Sequence, residues 1–252
     1  GNVRLIAGGD VNMLVGVDSL RKEVSTTERE FKVEGTASGN SVELFAGYEE
    51  DRHTEIREQK TAVGSQISGS NIGIDSGDDI TIVGGILQAS SHPEAEAGST
   101  GNIMLDAEGD ITTLASVSES MLKVIDENFR TGIAIGAQEN VSAAADAVNN
   151  VGNQQGAVNT GSAALQAVDA VQGARSGGVS GSAGYVAEWS KQESEDTSQT
   201  ANSTLIFAEN DLSFISGGDQ RHVGTEASAG NNLIVKSGGD VTIESAQNTT
   251  SH

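Results

Sequence analysis

The sequence contains no cysteine, so neither a disulfide framework nor a thiolate zinc site is available to hold it together. One proline and 3% aromatic residues argue against a conventional thick core built on Phe and Trp. No stretch approaches the roughly 18 consecutive apolar residues that a membrane-spanning helix needs. A signal peptide is also missing. The sequence starts at Gly1 inside a repeat and stops at His252 shortly after another, so we expect a segment of a longer chain whose targeting signal lies elsewhere. Basic residues are scarce: 14 Lys and Arg stand against 36 Asp and Glu, for a formal net charge of −22. That balance repels nucleic acid and anionic membranes, and nucleic acid is not expected as a partner.

Glycine is abundant, at 32 of 252 residues, and much of it falls in an internal repeat. Three copies are clear: Asn2-Val3-Arg4-Leu5-Ile6-Ala7-Gly8-Gly9-Asp10-Val11, Asn102 to Ile111, and Asn232 to Val241. Two weaker copies run Asn71 to Ile80 and Asp211 to Asp219. Apolar residues alternate at period two (Val3, Leu5; Ile103, Leu105; Leu233, Val235), which marks strands with one buried face. A Gly-Asp pair then turns the chain, since Gly tolerates positive φ and Asp bonds nearby backbone. A second alternating run follows (Ile80, Ile82; Val241, Ile243), and a third appears at Ile86-Leu87-Gln88-Ala89. Strand, turn, strand, turn, strand is one coil of a right-handed parallel β-helix, on the order of 20 residues long and stable only when stacked on others.

Coils are expected over 1–15, 61–115 and 200–252. Two excursions interrupt them, over 16–60 and 116–199, and return through Thr61-Ala62-Val63-Gly64-Ser65 and Thr200-Ala201-Asn202-Ser203-Thr204. The first is charged and reads as a projecting antiparallel ribbon with solvated faces, although Ser41 to Ala46 also fits a partial coil. In the second, residues 117–129 suit either a helix (Met121, Leu122, Ile125, Phe129) or an outgoing strand. Residues 138–175 are rich in Ala. Val141, Ala144, Ala145, Val148 and Val151 keep helical spacing, as do Ala164, Leu165, Val168 and Val171, so a short helical hairpin is expected there. Tyr185 to Trp189 reads as a returning outer strand; the lone Trp189 could anchor a partner, but packing where the excursion meets the coils is the favoured role.

The Asn-Ile-x-Leu-x-Ala-x-Gly-Asp-Ile-Thr pattern, with the ending Gly239-Asp240-Val241-Thr242-Ile243-Glu244-Ser245, resembles the haemagglutinin repeats of filamentous haemagglutinin and of contact-dependent growth inhibition exoproteins. The excursions and the Thr61 to Ser65 return resemble the downstream block of such repeats. This resemblance covers nearly the whole chain and matches the Ala-rich insert only loosely. It implies a secreted, cell-surface filament exported by an outer-membrane transporter of a two-partner system. It also implies a role in adhesion to a receptor or in contact-dependent toxin delivery across a target outer membrane.

Other chemistry competes with this reading. Asp75, Asp78 and Asp79 form the densest acid cluster, and an acid pair in a groove would suit a β-helical carbohydrate-active enzyme. Turn chemistry is the simpler account. Asp10, Asp110, Asp219 and Asp240 recur at one repeat position, whereas a catalytic acid is needed once. Gly8-Gly9-Asp10, Gly217-Gly218-Asp219 and Gly238-Gly239-Asp240 suggest half of a calcium-binding nonapeptide, without its second half. His53, His92, His222 and His252 are scattered, with no H-x-x-x-H pair. No nucleophile elbow or phosphate loop occurs. We therefore expect no catalytic, cofactor-binding or metal-binding residue, no cofactor and no small-molecule substrate.

Overall fold

The computed structural model describes residues 1–38, 41–90, 100–138 and 180–252. In chain order the strands are β1 (Val3–Ala7), β2 (Val11–Met13), β3 (Gly16–Ser38), β4 (Ser41–Val63), β5 (Gln66–Gly69), β6 (Ile72–Ser76), β7 (Ile80–Val83), β8 (Ile86–Ala89), β9 (Ile103–Ala107) and β10 (Ile111–Leu114). They continue as β11 (Ser116–Gln138), β12 (Ser180–Asn202), β13 (Thr204–Ala208), β14 (Leu212–Ser216), β15 (Gln220–Val223), β16 (Thr225–Ala229), β17 (Leu233–Ser237), β18 (Val241–Glu244) and β19 (Thr249–Ser251). No helix occurs among the described residues. The helical hairpin expected over 138–175 lies outside them from residue 139 onward, and Gln138 itself ends β11. Residues 117–129 are strand, and Ser41 to Ala46 belongs to β4 rather than to a coil.

Two compact units result. The first comprises residues 1–22, 57–122 and 195–252; the second comprises residues 23–56 and 123–194.

In the first unit the chain visits three parallel sheets in rotation. One sheet has the order β1-β6-β9-β14-β17, the next β2-β7-β10-β15-β18, and the third β5-β8-β13-β16. Each of the first four copies of the repeat thus adds one strand to each sheet, the fifth adds β17 and β18 to the first two, and we call each set a rung. Register is residue-for-residue. Leu5 pairs with Ile74, Ile74 with Leu105, Leu105 with Phe214, and Phe214 with Val235. Because strand side chains alternate in direction, this register stacks apolar side chains on one side of every sheet. Ile72, Ile74, Ile80, Ile82, Leu87, Ile103, Leu105, Ile111, Ile206, Leu212 and Phe214 form the resulting core and are at most 2% exposed. Burying a side chain of this kind contributes about 1.5–3 kcal/mol, so a thin stack of Ile and Leu suffices where Phe and Trp are scarce.

The fourth sheet is built from the excursions, with the order β3-β4-β11-β12-β19. Paired residues run in opposite directions along neighbouring strands. Arg21 meets Glu58 and Arg29 meets Glu50; Lys60 meets Glu119 and His53 meets Asp126; Ser120 meets Ser198 and Thr131 meets Tyr185. These pairings make β3, β4, β11 and β12 antiparallel neighbours, and β19 pairs antiparallel with β12 through Thr197, Ser198 and Gln199. The expected isolated ribbon is therefore half of a larger sheet, completed by the second excursion.

Excursions leave only every second rung. In the rungs between, the chain turns directly from the second parallel sheet to the third at Gly84 and at Gly224, with φ of 56° and 59°. A side chain is disfavoured there for a second reason as well. A Cβ on Gly84 would lie 2.6 Å from Ser116 Cβ and 3.0 Å from Val15 Cγ1, and one on Gly224 would lie 2.8 Å from Ala115 Cβ, with Ala246 Cβ closer still. Val15, Ala115 and Ser116 sit where neighbouring excursions leave the rungs, so Gly84 is sandwiched between two excursion bases and Gly224 between one and the segment that leads to β19.

Candidate functional site

The recurring acids form a ladder. Asp10 Oδ1 accepts the backbone N–H of Asp79 at 3.3 Å, Asp79 Oδ1 that of Asp110 at 2.8 Å, Asp110 Oδ1 that of Asp219 at 2.7 Å, and Asp219 Oδ1 that of Asp240 at 2.8 Å. The Gly before each Asp makes room for it. A Cβ on Gly109, Gly218 or Gly239 would collide with Oδ1 of Asp79, Asp110 or Asp219 respectively. At the Asp10–Asp79 step that position holds Asp78 instead of Gly, and this step is the longest of the four. The Gly-Gly-Asp motif is thus explained by stacking, without a cation. Among the described residues no group of three or more His, Cys, Asp or Glu is placed to hold a metal.

The Asx residues that open each repeat form a parallel ladder. Asn71 donates to Asn2 Oδ1 at 3.0 Å and accepts the Asn102 N–H at 2.9 Å. Asn102 accepts the Asp211 N–H at 3.1 Å, and Asp211 accepts the Asn232 N–H at 3.1 Å. Asp75 lies on the outward side of β6, 3.4 Å from Arg4. The three acids of the dense cluster therefore point to three separate tasks: a surface ion pair, an exposed turn carboxylate and a ladder step.

A buried polar chain interrupts the apolar core at β15. The inward positions are Ile80 and Ile82 on β7 but Gln220 and His222 on β15, both within 6% of complete burial. Gln220 Nε2 donates to Lys236 O at 2.8 Å and to Ser216 Oγ at 3.1 Å, leaving Oε1 to accept from His222 Nε2 at 3.3 Å. His222 Nδ1 then accepts from the Thr113 hydroxyl at 2.7 Å, which in turn lies 2.7 Å from Thr225 Oγ1. The imidazole packs edge-on against Phe214, with centroids 5.0 Å apart. Burial pushes the His222 imidazole below its ordinary value. Nothing in the repeat pattern singled out this chain. The signal was the polar pair Gln220 and His222 at core positions of a strand.

The second unit carries ion pairs and two concavities among the described residues. One, of about 480 Å³, is lined by Glu34, Glu43, Phe45, Arg130, Val186 and Glu188. Arg130 bonds Glu34 at 2.8 Å and stacks 3.7 Å from the centre of the buried Phe45 ring. Its Nε is buried without a hydrogen-bond partner. Another, of about 610 Å³, is lined by Glu28, Asp51, His53, Asp126, Asn128 and Gln192. Hydrogen bonds from Lys32 and Asn128 hold the Glu49 carboxyl below its ordinary value, and Arg29 followed by Arg52 does the same to Glu50. Hydrogen bonds from Lys123 and then Lys191 hold Glu193 at about 2.

The remaining sequence candidates separate. His53 pairs with Asp126 at 2.6 Å, His252 with Asp196 at 2.9 Å, and His92 lies outside the described residues. Trp189 is 65% exposed in the second unit, which overturns the expectation that it packs where excursion and coils meet. It sits on a strand with polar neighbours, Glu188 and Ser190, on either side.

The family model "Hemagglutinin repeat" matches residues 1–121 and 185–252. The chain belongs to the haemagglutinin-repeat family of filamentous-haemagglutinin-like proteins. No curated protein and no solved structure matches it. The matched haemagglutinin-repeat residues include every strand of the three parallel sheets. The ladders that stack those strands thus lie within the matched residues.

Proposed function

We propose that this haemagglutinin-repeat chain is a non-enzymatic stalk segment of a large secreted bacterial exoprotein. In this reading the three parallel sheets are coils of a right-handed parallel β-helix over 1–15, 61–115 and 200–252, and the excursions over 16–60 and 116–199 decorate it. The whole protein leaves the cell through an outer-membrane two-partner transporter and stands on the bacterial surface. There it adheres to a target-cell receptor or delivers a toxin to neighbouring cells on contact.

One observation carries the reading. Of the acids that would serve a β-helical enzyme, Asp75 is held in a surface ion pair and Asp79 is one step of a rung-to-rung ladder repeated from Asp10 to Asp240. A stalk needs such a device at every rung, and a catalytic site needs it at none. A tandem array of residues 103–232 tests the reading. Each added copy supplies two rungs and should lengthen the particle by about 10 Å, two strand spacings. Small-angle scattering measures the maximum dimension. Growth with the cube root of mass, as for a globule, would sink the stalk.

A further inference from the structure

The sheet in the second unit has two unlike faces. The pairs Arg29–Glu50, Arg52–Glu127 and Lys123–Glu193 place odd positions of β3, β11 and β12 on one face with even positions of β4. That face carries Phe31, Tyr48, Phe129, Tyr185 and Trp189. Tyr185 is 76% exposed, Trp189 65%, Tyr48 52% and Phe129 42%. The opposite face carries Glu28, Glu30, Glu49, Asp51, Asp126 and Glu188 against Lys32 and Arg130. In a chain with 3% aromatic residues, exposed rings gathered on one side of one sheet are a patch that calls for a partner.

The layout narrows the partner. Phe31, Tyr48, Thr131 and Tyr185 form one row across the four strands, tied by the Phe31–Tyr48 edge contact at 5.4 Å and the Thr131–Tyr185 hydrogen bond. Phe129 lies in the next row and Trp189 in the one after. Tyr185 and Trp189, four residues apart on β12, are about 13 Å apart along the strand, with Phe129 on the neighbouring strand between their rows. Charge on this face is balanced: Arg29, Arg52, Lys123 and Lys191 against Glu23, Glu50, Glu127 and Glu193. Glu50, Glu127 and Glu193 bond these four bases, and the pairs flank the rings with hydrogen-bonding groups. A charge-balanced face within a strongly acidic chain offers a polyanion no long-range attraction and gives a polycation no local one. Flat exposed rings flanked by such groups suit a ligand that presents C–H faces and hydroxyl edges together.

We propose that this face binds an extended uncharged polysaccharide. Its sugar rings would stack on Tyr185, Phe129 and Trp189, and its hydroxyls would bond Arg52, Glu127 and Lys191. The face stands or falls as a binding surface independently of whether the repeat forms a stalk.

Trp189 is the sole tryptophan and therefore its own reporter. The 252-residue chain is titrated with cellohexaose, chitohexaose and maltohexaose, following tryptophan emission and heat. At least one should give a saturable emission change whose affinity is unaltered between about 0.05 and about 0.5 M salt. Trp189→Ala and Tyr185→Ala, both at exposed positions, should each weaken binding measured by heat about tenfold while leaving the circular dichroism unchanged. Glu188→Ala, on the opposite face, should not. Four outcomes would overturn the proposal: no response to any of the three sugars, a response only to a sulfated oligosaccharide that salt abolishes, a response only to phosphatidylcholine vesicles, or sugar binding indifferent to Trp189→Ala and Tyr185→Ala.

Discussion

Asp110 shows how much one carboxylate does in this chain. It accepts a backbone N–H from the next rung and occupies the space that Gly218 leaves open. Asp110→Ala removes the acceptor and should lower stability by about 1–2 kcal/mol in urea unfolding, whereas Asp110→Asn keeps an acceptor oxygen and should lose less than half of that. His222 makes a different prediction. Its folded form favours the neutral imidazole, so the unfolded chain binds the extra proton. The stabilisation is complete above the ordinary histidine value of about 6.5 and is lost as pH falls toward the lower folded value. His222→Ile alone strands Gln220 Oε1 and should destabilise by about 1–3 kcal/mol at neutral pH. Gln220→Ile with His222→Ile restores the pattern of Ile80 and Ile82. It should recover that loss and flatten the Tm between pH 7 and pH 5, to an extent set by about one proton. A double variant with an unchanged pH profile would show that His222 does not carry it.

At the scale of the strand and turn, the two tight corners are the most demanding positions. Gly84→Ala and Gly224→Ala combine an unfavourable φ with a collision against an excursion base, and each should cost more than about 1 kcal/mol. Gly8→Ala, with nothing within 4 Å of a new Cβ, is the matched control and should stay within about 0.5 kcal/mol. Thermal unfolding of the three variants measures the difference. These elements also mark what could be read from the sequence. Alternation at Val3 and Leu5, at Ile103 and Leu105, and at Ile80 and Ile82 is a local property, so the short strands and their buried faces were legible. The Gly-Asp turns were legible for the same reason, although their ladder function was not, because an Asp's partner is a residue one rung away. The pairing of β4 with β11 was invisible, since it joins segments with no shared pattern and depends on where each leaves its rung. The two-faced sheet follows from that pairing, and so the aromatic face could not be read before it.

For the whole molecule, the alternation of plain rungs and excursion rungs has a geometric origin. Strands in any sheet lie about 4.8 Å apart, so each rung advances the parallel sheets by one strand width. An excursion goes out and back, which fills two strand widths of the fourth sheet. One excursion per two rungs therefore keeps the sheets in step, and β19, bonded to β12, takes the next place in that order. We predict that the chain tolerates lengthening or shortening by even numbers of rungs better than by odd numbers. Excising residues 72–102, a single plain rung, would force β4 and β11 into one strand's space. It should lower the Tm far more than excising residues 3–102, which removes a complete pair and three times as much chain. The unit of inheritance in such a protein is then the pair, and a frame of two limits which duplications can survive.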